Sequence, residues 1–349
     1  MFRENIIAEL KSKINQEPNN IENYRNLANY YIGSSDYDNA LLVYEDILKI
    51  QPDDYQSLIN MGSIYFYKKR FPEALKCNNK AKEVEPDNYA TYYNLGNIYA
   101  EIENFELALS NYEKALELNP DNSDIYSALG YLYQDVDNLE EAKRYYQKAI
   151  ELNDTNSDNY INIANIEQNL YEYEDAIINY QKAYDLNNQN SKAALCLANA
   201  YSTVKNYPKA QEFFQRAIEL EPEYYSAFVC RAIAYSDDNK NEDAIETLKN
   251  AIEIAPEKIN AYIILANILT DEKRYDEALM IYKTANTISN DNPKLITLIA
   301  NVYVLTNNYT QAIKYYKKAI KLDPKNNEIK LIYIEMASHY IENKLKGKK

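Results

Sequence analysis

Apolar and small residues recur along this chain with a period of 34. Alanines stand at Ala40, Ala74, Ala108, Ala142, Ala176, Ala210, Ala244, Ala278 and Ala312 without a break. Sixteen residues before each comes a large apolar residue, Tyr24, Leu58, Tyr92, Tyr126, Tyr160, Phe228, Tyr262 and Ile296, with Ala194 the exception. Four residues after that position a small one follows: Ala28, Gly62, Gly96, Gly130, Ala164, Ala198, Ala232, Ala266 and Ala300. Four residues after each alanine comes a bulky side chain, Tyr44, Tyr112, Tyr146, Tyr180, Phe214, Leu248, Tyr282 or Tyr316, and only Asn78 breaks the column. Spacings of three, four and seven put such residues on one helical face. The small positions let two helices approach, and the aromatics fill the space between one pair and the next. A single pair buries too little to be stable alone, so stability has to come from stacking neighbours.

The prolines keep the same register. Pro18, Pro52, Pro86, Pro120, Pro222, Pro256 and Pro324 would end a second helix. Pro72 and Pro208 fall at the start of a second helix, and Pro293 opens a first helix, where a missing N–H costs little. These features predict helix pairs starting at residues 21, 55, 89, 123, 157, 191, 225, 259 and 293, spanning 21–326 with no insertion. Residues 1–20 read as an N-terminal capping helix and 327–343 as a C-terminal one, followed by a basic tail over 344–349.

The unit, large-xx-Leu-Gly/Ala-xx-Tyr followed by Ala-xxx-aromatic and then Pro, resembles the tetratricopeptide repeat. That resemblance implies an all-α fold, a right-handed α-α superhelical solenoid of nine full helix pairs with terminal capping helices. It also implies a concave face lined by those residues of the first helices that do not pack.

Composition narrows the function. The formal charge is −15, which disfavours a phosphate backbone as ligand, and RNA-reading helical repeats would be expected to carry basic grooves. Neither a signal peptide nor a run long enough to cross a bilayer is read from the chain, and three cysteines do not make a disulfide framework, so a cytoplasmic protein is expected. The five glycines form neither a P-loop nor a dinucleotide fingerprint, and no Gly-x-Ser-x-Gly elbow exists. The single histidine, His339, lies on the C-terminal capping helix away from any catalytic partner. Cys196 and Cys230 share a repeat position and read as small apolar fillers. No enzyme activity, metal or cofactor is expected.

The residues left over are the informative ones. Position 6 of the repeat reads Asn26, Asn60, Asn94, Ala128, Asn162, Cys196, Cys230, Ile264 and Leu298. Position 9 reads Asn29, Ser63, Asn97, Tyr131, Asn165, Asn199, Ile233, Asn267 and Asn301. An amide offers donors and an acceptor to the peptide groups of an extended ligand whatever its side chains. The position 6 run resembles the asparagine ladder in the superhelix of O-linked N-acetylglucosamine transferases. The resemblance implies peptide binding by Asn26, Asn60, Asn94 and Asn162, with Asn29, Asn97, Asn165 and Tyr93 beside them. Two readings of these asparagines stay open: a ladder for a peptide backbone, and background composition. A carboxylate clamp is half matched by Arg25, Asn29 and Asn60, but its third repeat offers Ala90 and Asn94 in place of two cations. Acids on the same face (Glu22, Glu101, Asp124, Asp135, Asp158, Asp237, Asp271) and apolar candidates (Ile59, Phe66, Tyr67, Tyr93, Leu195, Val229, Ile263) suit a partner segment that is basic and hydrophobic.

The expected function is therefore a non-catalytic protein-interaction scaffold that binds an extended peptide segment. Two alternatives stand beside it. One is a targeting or regulatory subunit for an enzyme such as a glycosyltransferase acting in trans. The other is an array that self-associates through Leu331, Ile332, Ile334, Met336 and Ile341 of the C-terminal helix.

Overall fold

The chain is described by a computed structural model covering residues 2–346, with the side chains of residues 2, 3, 339 and 342–346 outside the description. The end of the expected basic tail, Gly347 to Lys349, and the side chain of His339 thus lie outside the described residues. The described residues form twenty α-helices and no strand. After α1 (Phe2–Gln16), the first helices of the pairs are α2 (Ile21–Gly33), α4 (Tyr55–Tyr67), α6 (Tyr89–Glu101), α8 (Ser123–Asp135), α10 (Ser157–Asn169), α12 (Ser191–Thr203), α14 (Tyr225–Asp237), α16 (Ile259–Asp271) and α18 (Pro293–Leu305). The second helices are α3 (Tyr37–Ile50), α5 (Phe71–Val84), α7 (Phe105–Leu118), α9 (Leu139–Leu152), α11 (Tyr173–Leu186), α13 (Tyr207–Leu220), α15 (Asn241–Ile254), α17 (Tyr275–Ile288) and α19 (Tyr309–Leu322), and α20 (Asn327–Lys346) closes the chain.

The starts of these helices are written in short polar residues. Asn20, Asp54, Asn88, Asn122, Asn190 and Asn292 cap first helices, each accepting a backbone N–H two or three residues on. Asp36, Asn104, Asn138, Asn206 and Asn308 do the same for second helices. A side-chain oxygen there satisfies an orphan donor, which is typically worth about 1 kcal/mol. Much of the chain's asparagine is consumed in this way. Between the two helices of every pair one residue takes the left-handed conformation: Ser35, Lys69, Glu103, Asp137, Tyr171, Lys205, Asn239, Lys273 and Asn307, with φ between 56° and 65°. None is a glycine, so each turn carries the cost of a Cβ in that region.

Two compact units divide the chain, Met1–Ile166 and Glu167–Lys349, the division falling within α10. In the first unit α2 packs on α3, α4 on α5, α6 on α7 and α8 on α9, and each second helix also meets the next first helix through α7·α8. The second unit repeats the scheme from α12 with α13 to α18 with α19, and α20 packs on α19. The repeat alanines Ala40, Ala74, Ala108 and Ala142 are wholly buried, as are Tyr44, Tyr112 and Tyr146. An ideal Cβ added to Gly96 would stand 2.5 Å from the ring of Tyr112, so this glycine is required by the approach of α6 to α7.

Tyrosine hydroxyls stitch the stack. At position 4, Tyr24, Tyr92 and Tyr262 donate to the carbonyls of Pro18, Pro86 and Pro256 at 3.0, 2.9 and 3.1 Å. From position 1, the Tyr55 hydroxyl lies 2.9 Å from that of Thr91, and Tyr225 accepts from the Ala261 N–H at 3.1 Å, each reaching the next repeat. A buried phenol needs such a partner, since leaving it unpaired costs about 1–3 kcal/mol.

Candidate functional site

On the first unit, the face made by α4, α6 and α8 carries a cleft of about 430 Å³. Its lining includes Phe66, Tyr93, Asn97, Glu101, Tyr112, Asp124, Ser127 and Tyr131. Beside it, a hollow of about 60 Å³ is bounded by Gly62, Ser63, Phe66, Asn94, Asn97 and Ile98. The structure thus brings Tyr93, Asn94 and Asn97 together on α6, with Tyr93 and Asn97 facing the cleft and Asn94 and Asn97 facing the hollow. The rings of Tyr93 and Tyr112 lie 6.1 Å apart at 47°. The Tyr112 hydroxyl donates to Asn97 Oδ1 at 2.7 Å.

Gly62, which borders the hollow, packs against a departure from the repeat. In the repeats with a tyrosine at position 24, the ring lies over the small residue of its pair. Asn78 occupies that place in the second repeat, almost fully buried, and donates to the Ala74 carbonyl at 2.9 Å. Its side-chain oxygen has no partner. The smaller side chain fills less of the space that a ring fills elsewhere.

The other asparagines separate into kinds. Asn26 and Asn29 are exposed on α2. Asn60 is half-buried and committed: its amide donates to the Tyr44 hydroxyl at 2.9 Å, while its oxygen accepts from Gln56 at 3.0 Å. Asn162 and Asn165 are half-buried on α10, and Asn165 has a partner of its own. In the second unit Asn301 accepts from the Tyr316 hydroxyl at 2.5 Å, and Asn267 accepts from Tyr282. Where an amide is missing at position 9, Gln134 accepts from Tyr146 at 3.3 Å. One recurrent task of these inner-face amides is therefore to pair a buried tyrosine hydroxyl. The sequence reading missed this task because the tyrosine follows the amide by 15 residues in the Asn97, Asn267 and Asn301 pairs. It also missed Tyr112 and Ser127 as parts of the cleft.

Several expectations for this face change. Arg25 is no free groove cation: it meets Asp54 at 2.7 Å and Glu22 at 3.6 Å, and Asp54 is itself buried and caps α4. The half-matched clamp therefore lacks its first cation too. Leu195 and Val229, expected to be exposed, are buried; α12 touches α14, and Val229 joins the core of the second unit. Tyr67 is exposed, with its ring 5.0 Å from that of Tyr37, while Phe66, Ile59 and Ile263 are half-buried.

The electrostatics of the cleft are those of unpaired acids. Glu101 and Asp124 are exposed and have no cation beside them among the described residues. Burial raises the Tyr93 phenol above its usual range, the Asn97 bond opposes this, and the Asp124 charge adds to it. Burial raises Tyr112 further, with Tyr93 and Glu101 adding to it. Both tyrosines stay protonated at neutral pH, and Tyr112 is the donor to Asn97. The cysteines offer no nucleophile: burial lifts Cys77 to about 11 and raises Cys196 and Cys230 above the ordinary thiol range. Among the described residues no three His, Cys, Asp or Glu side chains gather as a metal site, and no helix is long and apolar enough to cross a membrane.

Models of the tetratricopeptide repeat match residues 21–54, 62–103, 89–122, 111–144, 157–190, 191–224, 235–301 and 269–333. The chain belongs to the tetratricopeptide repeat family. Among solved structures, a tetratricopeptide repeat protein from Parabacteroides merdae is 22% identical with a TM-score of 0.53, over 71% of this chain and 98% of that one. PilF of Pseudomonas aeruginosa is 17% identical with a TM-score of 0.54, over 61% of this chain and 97% of that one. YrrB, described as a TPR protein with an unusual peptide-binding site, is 26% identical with a TM-score of 0.46, over 53% of this chain and 95% of its own. The first two likenesses show the fold alone. No curated protein matches this tetratricopeptide repeat protein. Repeats of this kind form protein-interaction scaffolds, and that general role holds for this chain.

Proposed function

We propose that this tetratricopeptide repeat protein is a non-catalytic scaffold that holds an extended segment of a partner protein against the first helices of its repeats. The observation that carries the reading is the cleft on α4, α6 and α8, where aromatic surface, amides and unpaired carboxylates line about 430 Å³ open to a ligand. Asn94 at the neighbouring hollow and Asn26 on α2 serve as backbone-directed amides, while Asn60 and Asn97 support the face from beneath through Tyr44 and Tyr112. The partner segment combines basic and hydrophobic side chains. Each neutral hydrogen bond adds only about 0.5–1.5 kcal/mol, so affinity is shared among several repeats. A packed helix pair is already ordered before binding, which lowers the cost of association.

The test compares wild type with Asn26→Ala, Tyr93→Ala and Asn94→Ala, alone and combined, in capture from a lysate of the source cell, read by mass spectrometry. Circular dichroism checks that the variants stay folded. A partner held by wild type and lost by the triple variant supports the groove. Identical capture by both would move the interaction to another surface.

A second reading rests on α20. Leu331, Ile334 and Ile341 are exposed on it, while Ile329 and Met336 are buried against the last repeat. This stripe suits pairing with a second copy. Light scattering that finds a strict monomer at high concentration would reject it.

A further inference from the structure

Opposite charges inside a folded chain usually find one another, and in this protein many do. Arg274 meets both Glu242 and Glu277, Lys114 meets Glu117, and Lys80 meets Asp53. Two acids at the cleft of the first unit have no such partner. Glu101 at the end of α6 and Asp124 at the start of α8 face it without a cation. None could come from the helices that build it, because α4, α6 and α8 contain no lysine or arginine. Rings share the cleft with these carboxylates: Phe66, Tyr93 and Tyr131 line it, and Tyr131 is 61% exposed. Asn97 lines it too, its amide oxygen held by the Tyr112 hydroxyl at 2.7 Å.

Aromatic faces attract cations, and two carboxylates add a second attraction of the same sign. Together they select a cation that is flat, weakly hydrated and rich in donors. Guanidinium has those properties: it stacks on rings and carries five N–H groups in a fixed fork, whereas an ammonium is a compact, strongly hydrated point charge. We propose that the cleft lined by Tyr93, Tyr131, Glu101 and Asp124 is an arginine subsite, which seats one guanidinium of the bound segment. The inference rests on the groove reading above and fixes both its polarity and its anchor. The groove grips a cationic side chain within the segment, the reverse of a clamp for a terminal carboxylate.

Selection of a random 12-residue peptide display library on the full chain, wild type against Glu101→Gln/Asp124→Asn, tests this. Both substituted residues are exposed, so the variant keeps its fold, which circular dichroism verifies. Selected peptides are expected to be enriched in arginine on wild type and to lose that enrichment on the variant. One selected peptide is then made with arginine, lysine or the neutral isostere citrulline. The arginine form is expected to bind wild type about fivefold to tenfold better than the citrulline form at low salt, and the variant to bind the two alike. Lysine should fall between them. Tyr131→Ala should remove part of the preference for arginine over lysine. Peptides recovered without basic enrichment, or a citrulline form bound as well as the arginine form, would overturn the subsite and leave the groove standing. Failure to recover any peptide would overturn both.

Discussion

Adding one methyl group at two glycines should shift stability in opposite directions. Both Gly33 and Gly96 have ordinary negative φ, so replacement by alanine gains about 1 kcal/mol of helix propensity at either site. A Cβ at Gly33 would meet nothing within 4 Å. One at Gly96 would stand 2.5 Å from Cδ1 and from Cε1 of Tyr112, and 3.0 Å from Cζ. Ordinary contact begins about 1 Å farther out, so the ring or the helix must move by roughly that much. The ring is poorly placed to yield. It is 2% exposed, its hydroxyl is held by Asn97 at 2.7 Å, and the Tyr93 ring lies 6.1 Å away. Overpacking of this kind costs about 1–3 kcal/mol. Alanine shares a core with the corresponding tyrosine in other repeats, Ala28 with Tyr44 and Ala266 with Tyr282, so the pair can be accommodated, which places the cost toward the middle of that range. Gly96→Ala is therefore expected to destabilise by about 1 kcal/mol net and Gly33→Ala to stabilise by up to about 1, a difference of about 2. Gly130→Ala, with contacts of 2.8–2.9 Å to Tyr146, should fall between them. Urea titration followed by circular dichroism measures the order, and amide exchange within α6 and α7 localises the effect. A Gly96→Ala protein as stable as Gly33→Ala would refute the argument that close helix approach dictates the glycine.

Three further outcomes are expected. Burial pushes the Asp54 carboxyl up, yet Ser57 and Arg25 together hold it below the ordinary aspartate range. Its contribution is then complete above about pH 4 and lost as pH falls through the folded value, so Asp54→Asn should cost about 1 kcal/mol at pH 7 and nothing at the acid end of a pH series of urea titrations. Asn78→Tyr should restore the ring that most other repeats carry, remove an unpaired buried oxygen and fill the hollow beside Asn94, raising stability by about 1–2 kcal/mol in thermal unfolding; a lower midpoint would show that the hollow is not a vacated ring position. Tyr171 holds φ 65° while 78% exposed, so Tyr171→Gly should stabilise by about 0.5–1 kcal/mol in the same assay, and a loss would mean that its edge contact with Tyr173 outweighs the strain.

The helix pairs were legible because every packing demand falls on a fixed position of the 34-residue unit. Ala108 is small because α6 and α7 meet there, Tyr112 is large because it must fill the space beside Gly96, and neither can move in sequence without moving in space. The site was less legible because asparagine serves three purposes in nearly the same dialect. Asn122 caps a helix, Asn97 pairs a buried phenol and Asn94, one turn before it, borders an open hollow, and each is the same short amide. Only the partner distinguishes them, and for Asn97 that partner arrives 15 residues later on another helix. Position 6 alone could not separate Asn60, which is used internally by Tyr44, from Asn94, which is not. Cation placement, by contrast, is readable from sequence once the helices are known. The first helices α4, α6 and α8 carry no lysine or arginine, while α6 ends in Glu101 and α8 carries Asp124 and Asp135; by contrast α12 carries Lys192 and α14 carries Arg231, whose guanidinium is already taken by Gln211, Gln215 and Tyr235. A cation that the first unit does not supply to its own carboxylates must come from solution or from a ligand, and the ring-lined cleft around Glu101 and Asp124 favours the ligand.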